Sequence, residues 1–148
     1  MHGQLILVAG LPGCGKTSYL CTMCRDGWLA FDDFKALAYE NCSRFGSSRK
    51  LSALLAAIRA DLNCIVADID FCDEASRSDA EFILRAEVPG VHPRWEFFAN
   101  DPAACLDNVK RRKSEGLDHD VRCIERYAPG YQIPDGTTVH PVWRKQDE

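Results

Sequence analysis

Residues 10 to 17 read Gly10-Leu11-Pro12-Gly13-Cys14-Gly15-Lys16-Thr17. This is the G-x-x-x-x-G-K-T pattern of a phosphate-binding loop. An apolar run, Leu5 to Ala9, precedes it, and a helix-like segment opens near Lys16. The run therefore sits in the strand–loop–helix context that the chemistry needs. Glycines let successive backbone N–H groups turn inward with no Cβ in the way. Together with the helix N-terminus, those groups form a concave anion site. Lys16 is expected to reach the β- and γ-phosphates, and the Thr17 hydroxyl to hold Mg²⁺. The expected nucleotide site comprises Gly10, Leu11, Pro12, Gly13, Cys14, Gly15, Lys16, Thr17 and Ser18. ATP and Mg²⁺ are the implied cofactors.

A chain of 148 residues suits one domain with a real core. A net charge of −4 supplies no global field for nucleic acid, so a long polynucleotide partner is not expected. The first residues carry no charged segment leading into a long apolar run, and no apolar run approaches a membrane span. A cytoplasmic, membrane-free protein is the expectation. Eight cysteines are then read as reduced thiols. Cys21 and Cys24 form a lone C-x-x-C without a second pair, and are expected to be buried as small apolar residues instead of ligating zinc. Cys14 occupies a tolerant position of the loop, is expected to be open to alkylation, and is assigned no chemistry.

Strand-like and helix-like segments alternate. Strands are expected at 4–9, 28–31, 64–68, 95–99 and 138–143. Helices are expected at 16–25, 34–41, 51–62, from 74 or 76 to 87, at 102–113 and at 117–127, with 44–50 a loop. Leu51, Leu54, Leu55, Ile58 and Leu62 recur at helical spacing. Asp101-Pro102 is a helix-start signal. Alternation of this kind implies an α/β fold, a parallel sheet covered by helices on both faces. Trp28, Trp95 and Trp143 fall in strand segments and are expected to pack the core.

Ligands of such sheets bind beyond the carboxyl ends of the strands. Asp32 and Asp33 end the second strand segment, Asp68 and Asp70 the third, and Asn100 and Asp101 the fourth. Carboxylates beside a polyphosphate repel it unless they serve a metal or accept a proton. Asp32 is the candidate general base, with helix capping as its other reading. Asp68 is the candidate metal-side carboxylate or a turn cap. Asp33, Lys35 and Asp70 are the candidate acceptor-binding residues. Lys110, Arg111, Arg112 and Lys113 either form a solvated helix end favoured by the dipole or supply a lid cation. Gly116 beside them offers a hinge. Arg111 and Arg112 are equivalent candidates for the lid. None of the four histidines has ligand spacing.

These residues resemble the small P-loop kinases of the polynucleotide 5′-hydroxyl kinase type, in the wider group that includes zeta toxins and chloramphenicol phosphotransferase. The loop, the stretch Trp28 to Lys35 with its paired aspartates, and the strand end Val66-Ala67-Asp68-Ile69-Asp70 carry the likeness. It implies a five-stranded parallel sheet in the order 2-3-1-4-5, Asp32 as activator of an acceptor hydroxyl, and a lid over about 110–130. Two positions depart from that family. Asp70 stands where it has asparagine, and Lys35 stands where it has an arginine that grips the acceptor's phosphate in bidentate fashion. The expected activity is transfer of the γ-phosphate of Mg·ATP to a hydroxyl on a nucleoside, an oligonucleotide end or a small molecule. The alternative is a non-catalytic ATP-binding module acting through a partner.

Overall fold

In a computed structural model, residues 3–32, 34, 47–112 and 116–143 are described. The strands are β1 (Leu5–Ala9), β2 (Leu29–Asp32), β3 (Cys64–Ala67), β4 (Arg94–Phe98) and β5 (Thr138–His140). All pair in parallel, in the order β2-β3-β1-β4-β5. The helices are α1 (Lys16–Arg25), α2 (Ser47–Arg59), α3 (Glu74–Glu87), α4 (Pro102–Arg112) and α5 (Leu117–Tyr127). Two 3-10 turns, Ile69–Cys72 and Ala128–Gly130, were not legible in the periodicity. Among the described residues no helix is long and apolar enough to cross a membrane.

β1 and β3 are buried along their whole length, as central parallel strands must be with helices on both faces. Their continuous Leu, Ile, Val and Ala runs leave no polar face. An aromatic series crosses the sheet. Phe34 is buried and meets Phe71 at 5.7 Å between ring centres; Phe71 meets Trp95 edge-on at 5.0 Å. Asp101 caps α4 as expected, its carboxylate accepting the Ala104 N–H at 3.2 Å.

Several expectations need correction. α2 begins at Ser47, inside the stretch read as a loop, and it ends at Arg59. Leu62 therefore lies beyond it and is exposed. β5 stops at His140, not at Trp143. Cys21 and Cys24 are exposed on α1, not buried. The expected helix at 34–41, apart from Phe34, lies outside the described residues.

Two buried charges tie the layers together. Arg77 of α3 donates to the Phe71 carbonyl at 2.7 Å and to the Gln132 carbonyl at 3.3 Å, and lies over the Phe97 ring. Glu96 of β4 accepts from the Tyr19 hydroxyl at 2.5 Å and from His140 Nε2 at 2.7 Å, with Arg94 at 3.2 Å. Burial works against the Glu96 charge, but the hydrogen bonds from Tyr19 and His140, and the charges of His140 and Arg94, outweigh it. They hold the carboxyl below the usual glutamate range.

A lowered folded pKa gives stability that is complete above the unfolded glutamate value of about 4.3 and is lost as pH falls through the folded value. Glu96→Gln is therefore expected to cost about 2 kcal/mol at pH 7, a fall of roughly 4–8 °C in Tm. Thermal melts between pH 7 and pH 3 check this. The gap between wild type and variant should close on the acid side, and a gap independent of pH would rule the assignment out.

Candidate functional site

The phosphate loop leaves β1 at Gly10 and enters α1 at Lys16. Gly13 (φ 81°) and Gly15 (φ 112°) both have left-handed backbone, which a side chain resists. Gly15 stands at the N-cap of α1 with no side-chain cap, and the first turn carries no acidic residue. The amino end of this ten-residue helix therefore has no side-chain cap and no acidic residue to compete with an anion. Cys14 N–H closes a turn on the Leu11 carbonyl at 3.2 Å. The Lys16 ammonium donates to the Gly10 carbonyl, which holds it across the mouth of the loop.

Leu11 and Cys14 point into the core. Burial pushes the Cys14 thiol up, against the lowering effect of the Lys16 charge. Cys14 is 1% exposed, so the expectation that it is open to alkylation is corrected.

Register brings the carboxylates to the same edge. Asp32 pairs with Ala67 and is exposed; Val8 also pairs with Ala67. Asp68 follows Ala67, and its N–H donates to the Val8 carbonyl at 3.2 Å. The ends of β2, β3 and β1 therefore lie side by side, with Asp32, Asp68 and Gly10 in successive columns. Asp68 is buried and caps the 3-10 turn, accepting the Asp70 N–H at 2.8 Å. Asp70 accepts from the Tyr127 hydroxyl, which fastens the end of α5 to the end of β3. Asp33, Lys35 and Lys113 lie outside the described residues.

Thr17 and Asp68 are hard oxygen donors, the kind that Mg²⁺ takes. Among the described residues no group of three or more His, Cys, Asp or Glu side chains is placed to hold a metal ion.

One face of α4 covers the loop. A Cβ on Gly13 would lie 2.7 Å from the Cys105 carbonyl and 2.8 Å from Val109 Cγ1. Asn108 Nδ2 donates to the Gly13 carbonyl at 2.8 Å and to the Trp143 carbonyl at 2.5 Å. Residues 105, 108, 109 and 112 share this face by helical spacing. Arg112 lies near enough for its charge to lower the Cys14 thiol, and it also pairs with Asp120 at 3.2 Å. Arg111 pairs with Asp107 at 3.3 Å along the helix.

Asn108 and Trp143 are parts of the site that sequence reasoning missed. Trp143 is 54% exposed and does not pack the core, unlike the half-buried Trp28 and Trp95. Asn108 offered a signal only in retrospect, as a polar residue between the buried Cys105 and Val109 on one face of α4.

No family model matches the sequence, and no curated protein matches it. Solved structures do match. A sugar kinase from Janibacter sp. HTCC2649 superposes with a TM-score of 0.64 at 13% identity, covering 95% of this chain and 84% of that one. A fungal RNA kinase does so with a TM-score of 0.63 at 16% identity, over 100% and 78%. The chain shares the fold of these solved kinases. A gluconokinase from Sinorhizobium meliloti 1021 shares it as well, with a TM-score of 0.57 at 17% identity over 97% and 84%. The P-loop fold so defined has the strand order that the sequence resemblance implied.

Gly13→Ala is expected to lower stability by about 1–3 kcal/mol, because the residue is left-handed and its Cβ would meet α4. ATP affinity should fall with it. Gly116→Ala is the control for stability: φ is −90° and a Cβ there meets none of the described residues within 4 Å. Paired melts check both variants, nucleotide titration checks Gly13→Ala, and a destabilised Gly116→Ala would count against the assignment.

Proposed function

We propose that the protein is a phosphotransferase that moves the γ-phosphate of Mg·ATP to a hydroxyl acceptor. The observation that carries this reading is Asp32, an exposed carboxylate one column from Asp68 and two from the phosphate loop. A module that only bound ATP has no need of a base at that edge. A kinase needs one to take the acceptor's proton.

In the proposed reaction the loop amides and Lys16 hold the β- and γ-phosphates. The acceptor O–H gives its proton to Asp32, its oxygen attacks the γ-phosphorus in line, and ADP leaves with the bridging oxygen. Mg²⁺, held through Thr17 and Asp68, would neutralise charge on the phosphates. Arg112 is favoured over Arg111 as the closing cation, because it continues the face of α4 that already lies on the loop. Gly116 would let α5 move against α4. Asp33, Lys35 and Asp70 remain the candidate acceptor contacts. The acceptor is a nucleoside, an oligonucleotide end or another small molecule; the solved neighbours are named for different acceptors. At a net charge of −4 a short end or small molecule is favoured over a long polynucleotide.

The test is transfer of label from γ-labelled ATP to a panel of 5′-hydroxyl oligonucleotides, nucleosides, nucleoside monophosphates, sugars and a metabolite extract. Asp32→Ala is expected to lose roughly 10²- to 10⁴-fold in rate while still binding ATP. Lys16→Ala should lose both. Tight ATP binding with no transfer to any acceptor would turn the reading toward a regulatory nucleotide-binding module.

A further inference from the structure

Trp143 is a large apolar side chain left more than half exposed, yet its backbone is among the most firmly held parts of the site. Its N–H donates to the Cys14 carbonyl at 3.0 Å. Its carbonyl accepts from Asn108, whose amide also holds the Gly13 carbonyl. Its Cβ lies so close to Gly15 that a Cβ there would approach within 2.9 Å. The strand leading to it is held too. Phe98 pairs with His140, the Ala99 N–H donates to the His140 carbonyl at 2.8 Å, and the His140 ring lies 4.7 Å from Tyr19 of α1.

A side chain kept for core packing would be turned inward. This one is pinned by its main chain against the residue that precedes Lys16 and Thr17, with more than half of the residue exposed. An aromatic face fixed beside an anion-binding loop suits a ligand that carries both phosphates and a flat heteroaromatic ring. Trp95 makes the contrast, since its indole N–H is spent on Glu81 at 2.6 Å within the fold.

We propose that the indole of Trp143 is the platform on which the base of the bound nucleotide stacks. Trp143 is then an affinity-determining residue of the donor site, and Asn108 is the residue that positions it. The inference rests on the phosphate-loop reading and adds where the other end of the nucleotide lies.

The experiment measures binding of Mg·ATP and of inorganic tripolyphosphate with Mg²⁺ by calorimetry, on wild type, Trp143→Ala, Trp143→Phe and Lys16→Ala. Trp143→Ala should bind ATP roughly ten- to a hundredfold more weakly, with tripolyphosphate affinity unchanged. Trp143→Phe keeps an aromatic face and should restore most of the ATP affinity. Lys16→Ala should weaken both ligands. If Trp143→Ala binds ATP like wild type while Lys16→Ala does not, the platform is refuted and the phosphate-loop reading stands. If Trp143→Ala weakens both ligands equally, the indole merely props the loop, and the proposal is overturned. If wild type binds neither ligand, the donor-site reading itself fails and takes the platform with it.

Discussion

A loop that binds phosphate through its own amides cannot spend those amides on holding itself in place. Apart from the Cys14 N–H, which closes a turn on Leu11, the phosphate loop of this protein is held from its carbonyl side and through the space its glycines leave. The carbonyls of Gly10, Gly13 and Cys14 accept from Lys16, Asn108 and Trp143. Where Gly13 lacks a side chain, α4 closes in; where Gly15 lacks one, Trp143 does. The glycines therefore do two things at once. They permit left-handed backbone, and they let a helix and the chain after β5 come close enough to grip it.

That arrangement works only if α4 and β5 are themselves fixed, and the buried charges serve this end. Glu96 joins α1, β4 and β5 through Tyr19 and His140. Arg77 joins the turn after β3 to the segment after α5, through two carbonyls far apart in sequence. Each charge is paired or hydrogen-bonded, and among the described residues no buried side-chain nitrogen or oxygen lacks a partner. An ion pair removed from water contributes little net attraction. Its geometric demand is strict, however, and that strictness suits a site in which elements from both ends of the chain must meet.

What could be read in the sequence was what depends on local pattern. The G-x-x-x-x-G-K-T run, the unbroken apolar strands β1 and β3, and the Asp101-Pro102 start of α4 each rest on neighbouring residues alone. The sheet order came from resemblance, since alternation of strands and helices says nothing of which strand lies next to which. The start of α2 was hidden because Gly46-Ser47-Ser48 reads as a loop by composition, and a helix stabilised by burial of Leu51, Leu54 and Leu55 overrides that preference. The exposure of Cys21 and Cys24 was hidden because a cysteine carries no mark of which helix face it occupies. Asn108 and Trp143 escaped for a different reason. Each acts on the loop across a large sequence separation, and only the fold brings them together.

The two arginines at the end of α4 sit differently in the fold. By sequence, Arg111 and Arg112 are equal candidates to meet phosphate. A helix face settles on the loop through residues 105, 108 and 109, and the next position on that face, one turn on, is 112 and not 111. Arg111 turns back along its own helix to Asp107. Arg112 reaches across to Asp120 at the start of α5, while its charge is already felt at Cys14. An anion arriving at the loop would compete with Asp120 for Arg112. The carboxylate side follows the same logic: Asp70 is linked to Tyr127 at the other end of α5. Both ends of that helix are thus tied to side chains at the edge where the nucleotide and the acceptor would meet.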